Sequence, residues 1–224
     1  MSVKAFIFDF DGLILDSETP VYEAWQKVFN DFGIDLPFSV WQKSVGSSKE
    51  AFDPILYLEG KIGKQVDRKQ LDQNQRICSY IDILKKPLLP GVLVFLEHSK
   101  ERGIKLAIAS SSSTDWVYCN LIRLDIVHLF DVICCGDEVL KTKPDPDLFL
   151  LAANLLGVNP AETIVFEDSP NGISAANAAK MYCVAIPNPV TKSMVINHAN
   201  LVINSLADLP VDKLLTDFNN LKQE

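Results

Sequence analysis

Five short, nearly continuous apolar runs constrain this chain most: VKAFIF (3–8), IKLAIA (104–109), FDVICC (130–135), TIVFE (163–167) and CVAI (183–186), with a further LVI at 201–203. Runs of this length and continuity suit strands covered on both faces, the situation of a parallel sheet. Helical patterns separate them. GVLVFLEHSKERG (91–103) and PDLFLLAANLLG (146–157) each close on glycine, and SPNGISAANAAKM (169–181) is rich enough in alanine to pack closely on a sheet. Alternating strands and helices predict an α/β fold with a doubly wound, mostly parallel sheet and right-handed crossovers.

One stretch breaks the alternation. PVYEAWQKVFNDFG (20–33) opens on Pro20, closes on Gly33 and has helical spacing, and 67–84 reads as a second helix, with no strand pattern between them. The stretch is bounded by an Asp-Ser-Glu turn and by KKPLLPG (85–91), the kind of joint at which inserted domains attach. The predicted division is an α/β core of residues 1–16 and 87–224, with a small all-helical cap of residues 17–86 placed after the first strand.

Composition narrows the function classes. The net charge of −8 and the lack of any basic block argue against nucleic acid and membrane surfaces as partners. No run approaches the roughly 18 apolar residues of a membrane span, and Asp9 and Asp11 interrupt the N-terminal run too early for a signal peptide. Five cysteines without a CxxC, two of them adjacent, fit a reduced cytoplasmic protein.

In open α/β sheets, ligands bind beyond the carboxyl ends of the strands. The first run is followed by Asp9 and Asp11, the second by Ser110, Ser111 and Ser112, and the fourth ends in Glu167 with Asp168 next. The third leads through GDEVLKTKPDPD, which supplies Lys143. Parallel neighbours would bring these carboxylates, hydroxyls and one lysine into a single crevice. Clustered carboxylates repel, and a hard cation with all-oxygen ligands, Mg²⁺ first, removes that penalty. A metal, an anion site and a spare carboxylate together point to phosphoryl transfer.

The motifs DFDGLILDSE (9–18), IASSS (108–112), KTKPDPDLF (141–149) and VFEDSPNGISAANAAKM (165–181) resemble, in this order and over essentially the whole chain, the haloacid dehalogenase superfamily. The likeness is to its phosphatase-like branch, with a Rossmann-like core and a helical cap after the first strand. That resemblance implies Asp9 as nucleophile, Asp11 as general acid and base, Ser110 as a phosphoryl ligand and Lys143 as the neutralising cation. It implies Mg²⁺ held by the Asp9 carboxylate, the Asp11 backbone carbonyl and Asp168, with Glu167 as a further contributor. Gly12 would allow the turn out of the strand, and Asp16 and Ser17 would belong to the cap hinge.

The branch includes β-phosphoglucomutases and phosphatases of sugar phosphates and phosphoglycolate. VGSSKEAF (45–52) resembles the cap loop that grips a distal phosphate, with Gly46 and Lys49 as substrate contacts beside Ser111 and Ser112. The mutases carry a hinge histidine that falls here on Val21, which favours hydrolysis of a small phosphorylated substrate. A dehalogenase would lack Asp11, and a non-catalytic binding protein would lack the nucleophile. A monomer or weak dimer is expected. Trp25, Trp41 and Trp116 are expected to pack cap and core, with Trp41 at the crevice, and His98, His128 and His198 to lie at the surface or at helix ends.

Overall fold

The computed structural model of the chain describes residues 2–42 and 52–221. In chain order its elements are β1 (Ala5–Phe8), α1 (Glu18–Asp31), α2 (Phe38–Trp41), α3 (Pro54–Ile62), α4 (Arg68–Ile83), α5 (Val92–Glu101), β2 (Lys105–Ala109) and α6 (Thr114–Arg123). They continue with β3 (Val132–Cys134), α7 (Asp147–Leu156), β4 (Thr163–Glu167), α8 (Pro170–Ala178), β5 (Tyr182–Ala185), β6 (Leu201–Val202) and α9 (Val211–Leu221). The sheet runs β3-β2-β1-β4-β5-β6 with every neighbouring pair parallel, the doubly wound α/β architecture that the apolar runs predict. The order reverses at β1, so the crevice beyond β1 and β4 is the topological switch point at which such sheets bind ligands.

Strand alternation sorts the core into two layers. Phe6, Phe8, Leu106, Ile108, Ile164 and Phe166 face one side, against Phe95 and Leu96 of α5 and Leu214 and Phe218 of α9. Phe8 and Phe166 are register partners and stack with centroids 4.6 Å apart, an aromatic contact worth about 1 kcal/mol beyond its burial. The opposite face is built from small residues, Ala5, Ala107, Ala109, Val165 and Ala185, which let α7 and α8 approach closely. No helix was expected at α3 or α9, whereas Trp116 lies on a helix, α6, as its surroundings in the sequence predict. Ser113, in the serine run after β2, is the residue that opens α6.

Among the described residues, α1 to α4 contain no strand and carry their own buried cluster of Trp25, Val28, Phe29, Leu36, Trp41, Ile55 and Leu58. The two chain segments joining these helices to the sheet run side by side. Leu15 bridges Leu88, the Leu89 amide donates to the Ile14 carbonyl at 3.0 Å, and Lys86 pairs with Asp16 at 2.8 Å. Val190, from the loop after β5, is buried in the same cluster, so the helices rest on the sheet domain at a second place.

Candidate active site

Asp9 directly follows β1, and its amide still donates to the Phe166 carbonyl at 3.0 Å. The residue is 7% exposed. Its Oδ1 accepts from Lys143 Nζ, while Oδ2 has no partner among the described residues. Lys143 also donates to Glu167 Oε1 at 2.7 Å and lies 4.9 Å from the Phe149 ring centroid. Burial pushes the Asp9 carboxyl up to about 8, with Glu167 and Asp11 adding to the rise and Lys143 opposing it. Burial alone would lower the Lys143 ammonium, but Asp9 and Glu167 outweigh it and hold the lysine charged.

β4 supplies the next two carboxylates. Glu167 is fully buried over the N-terminus of α8, where its Oε2 accepts from the Asp168 amide (3.0 Å), the Ser169 amide (3.1 Å) and Ser169 Oγ (3.0 Å). These donors belong to the N-cap residue of α8, Ser169, and to the residue before it. Gly172 is required beneath it, because a Cβ there would occupy the space of the Glu167 carboxyl. Asp168 accepts from Asn188 Nδ2 at 2.6 Å through Oδ2, leaving Oδ1 without a partner among the described residues. Burial raises the Asp168 pKa, with Glu167, Asp9 and Glu18 adding to it. Gly12 turns the chain with φ +79°, and a Cβ there would strike both Asp168 and Asn188.

Asp11 faces the same cleft but meets different partners. Its Oδ1 accepts from Ser17 Oγ (2.7 Å) and Trp116 Nε1 (2.9 Å), and its Oδ2 from Ser112 Oγ (2.6 Å) and Ser110 Oγ (3.5 Å). Ser110 is 1% exposed and also accepts from the Ser112 amide at 3.1 Å. The cleft has a volume of about 1530 Å³ and runs from these groups to the helical wall of Trp25, Trp41, Gln75, Arg76 and Tyr80.

The structure thus gathers Asp9, Asp11, Ser110, Ser111, Ser112, Lys143 and Asp168 along one cleft, with Glu167 directly behind through its contact with Lys143. Gly46 and Lys49 lie outside the described residues. Trp41 packs in the helical cluster and also lines the cleft, whereas Trp116 does more than pack. Asn188 and Glu18 were missed. Asn188 follows β5, so the strand-end rule that found the other polar residues would also have found it. His98, His128 and His198 do not line the cleft.

Three carboxylates, Asp9, Glu167 and Asp168, share this buried ground with one ammonium group, Lys143. The donor set is all oxygen, two of its carboxylate oxygens are unengaged, and its charge is in excess, which fits a hard divalent cation. A cation site beside a buried lysine and a hydroxyl loop, at the switch point of a parallel sheet, defines an enzyme that works on phosphate esters.

Known proteins agree. The chain matches the family described as haloacid dehalogenase-like hydrolase over residues 6–186. It is 42% identical over 218 residues to the Bacillus subtilis (strain 168) protein named "Putative phosphatase YhcW", covering 97% of this chain and 99% of that one. It is 36% identical to "Phosphorylated carbohydrates phosphatase" of Thermotoga maritima, covering 79% and 82% of the two chains. The crystal structure of β-phosphoglucomutase from Clostridium difficile superposes with a TM-score of 0.78 at 29% identity, covering 99% and 100%. The chain belongs to the haloacid dehalogenase-like hydrolases and is a phosphohydrolase of that type. Among the described residues, no helix is long and apolar enough to cross a membrane.

Proposed function

We propose that this enzyme hydrolyses a small phosphomonoester, a sugar phosphate, with Mg²⁺ as cofactor and through an aspartyl-phosphate on Asp9. The observation that carries the reading is Asp9 itself, a buried carboxylate with one oxygen on Lys143 and the other unengaged at the cleft. In the first step one oxygen of the Asp9 carboxylate bonds to phosphorus as the bond from phosphorus to the leaving oxygen breaks, and Asp11 gives its proton to that oxygen. In the second step Asp11 takes a proton from water, the water oxygen bonds to phosphorus, and the Asp9–phosphorus bond breaks to release inorganic phosphate. Lys143 and Ser110 hold the charge that accumulates on the phosphoryl oxygens.

Asp9, Asp168 and the Asp11 carbonyl, with Glu167 beside them, would hold the cation. When bound, it supplies a positive charge that lets one anion, the carboxylate, approach another, the phosphoryl group. The helical segment 17–86 is the cap that selects the substrate, and its aromatic wall of Trp25, Trp41 and Tyr80 suits the apolar face of a sugar ring.

The test is phosphate release from a panel of sugar phosphates, phosphoglycolate and p-nitrophenyl phosphate, with Mg²⁺ and with excess chelator. Release is expected only with the metal, and Asp9→Asn is expected to abolish it while keeping the melting temperature of a folded protein. Normal turnover by Asp9→Asn would remove Asp9 from its role. A mutase reading is favoured by the likeness to β-phosphoglucomutase. Against it, Val21 lines the cleft with a side chain that cannot hydrogen-bond. Glucose 6-phosphate formed from β-glucose 1-phosphate and a trace of the 1,6-bisphosphate, with little free phosphate, would decide for the mutase.

A further inference from the structure

Asp11 is held from four directions by donors of two kinds. Ser17, Ser110 and Ser112 offer hydroxyls, which can turn to donate or to accept. Trp116 offers an indole N–H, which only donates. Its 2.9 Å bond goes to Asp11 Oδ1, the oxygen that also accepts from Ser17 at 2.7 Å. When Asp11 carries the proton required of a general acid, a proton on Oδ1 would find an acceptor in Ser17 but would leave the indole, which can only donate, facing a weaker acceptor. Oδ2 faces Ser112 at 2.6 Å and Ser110 at 3.5 Å, both able to reverse their bonds.

Two further features place the indole. Ser113 opens α6, so Trp116 lies in its first turn, and its side chain reaches back over the strand ends. On the other side Tyr80, from α4 of the helical segment, packs against it with centroids 5.9 Å apart and planes tilted by 52°. The same indole therefore touches the acid through its nitrogen and the helical segment through its ring contact with Tyr80.

We infer that Trp116 is a positioning residue for the acid: its N–H anchors Asp11 Oδ1 and keeps the transferable proton on Oδ2, the oxygen on the Ser110 and Ser112 side. This rests on the reading of Asp11 as the general acid, and it assigns to Trp116 a task distinct from packing. The indole also ties the orientation of the acid to the seating of α4. The proton leaves Oδ2 for the leaving oxygen as the phosphorus–oxygen bond breaks, and no other co-reactant is needed.

The experiment compares kcat/KM, which reports the steps through leaving-group departure, for a sugar phosphate and for p-nitrophenyl phosphate. The sugar alkoxide needs a proton to leave; the nitrophenolate leaves as an anion. Trp116→Phe keeps the ring against Tyr80 and deletes the N–H. It is expected to lower kcat/KM for the sugar phosphate about tenfold, the upper range for losing one hydrogen bond to an uncharged acceptor, and for p-nitrophenyl phosphate by less than about twofold. Replacing Trp116 with benzothienylalanine, which exchanges the N–H for sulfur at nearly constant shape, is expected to give the same split and guards against misfolding of the phenylalanine variant. Asp11→Asn is the control. If it shows the split and the benzothienylalanine protein loses both activities equally or neither, the inference about Trp116 is overturned and the role of Asp11 stands. If Asp11→Asn itself shows no split, the reading of Asp11 fails and takes the inference with it.

Discussion

Lys143 keeps an ammonium group in a place nearly closed to water, with its side chain 5% exposed between Asp9 and Glu167. Removing one member of a buried ion pair leaves the others uncompensated, at a cost of about 3–5 kcal/mol. Lys143→Met is therefore expected to lower unfolding stability by that order, read by chemical denaturation, and to abolish turnover even in the fraction that folds. Glu18 offers a different test. Its carboxyl sits at the first position of α1 and lines the cleft, and burial with Asp11 and Asp16 nearby pushes it up to about 7 from 4.5. A group whose pKa is raised by folding contributes stability below its unfolded value and loses it as pH rises through the folded one. The wild-type melting temperature in chelator should therefore fall relative to that of Glu18→Gln between pH 4.5 and about 7. Parallel curves for the two proteins would mean that Glu18 does not carry this burden. No local pattern marked Trp116, because its partner comes from another element. The Trp116 bond to Asp11 closes across 105 residues.

At the scale of elements, the loop after β5 does two jobs. Asn188 donates to Asp168 at 2.6 Å and to the Gly12 carbonyl at 3.2 Å, and its own Oδ1 accepts from the amides of Val190 and Thr191. Two residues later Val190 is buried among Trp25, Trp41 and Leu58, and its carbonyl accepts from Gln42 at 2.8 Å. One short loop thus orients a candidate metal carboxylate and supports the helical segment. Partners that orient a ligating carboxylate commonly contribute 10- to 100-fold in metal affinity. Asn188→Ala is expected to weaken Mg²⁺ binding by about that factor, read as the Mg²⁺ concentration that half-saturates the rise in melting temperature. An unchanged midpoint would leave Asn188 a purely structural residue. The helices show the same division between local and distant causes. α5 and α7 end where Gly103 and Gly157 mark a stop, each within a residue or two, because helix termination is decided by the chain's own φ angles, here +71° and +67°. α9 is visible mainly through what it covers, with Val211, Leu214 and Phe218 closing the large-residue face of the sheet.

Across the whole molecule, the cleft lies between a sheet and a helical segment attached by two adjacent joints and one loop contact. The Asp16–Lys86 pair ties the joints together at 2.8 Å with both side chains partly exposed. A pair of that kind contributes up to about 1 kcal/mol, so Lys86→Ala should barely change global stability. Its expected effect is on the seating of the segment, seen as faster limited proteolysis near residues 15–18 and 84–90 and as a raised KM. Unchanged proteolysis and KM would show that the backbone bridge at Leu15 and Leu88 suffices. The sequence alone determined the parallel sheet, the interruption of its alternation after the first strand, and the polar residues that end the strands. Each is a local signal: an apolar run must be covered, and the polar residue after it must lie at the sheet's edge. Tertiary structure alone decided which carboxylate oxygens are spent and which are free, that Asp11 leans on Trp116 and Ser17, and that Val190 belongs with the helical segment. Those outcomes depend on distances between groups brought together from opposite ends of the chain, as when Asn188 meets Gly12 across 176 residues, and no spacing along a sequence encodes such a distance.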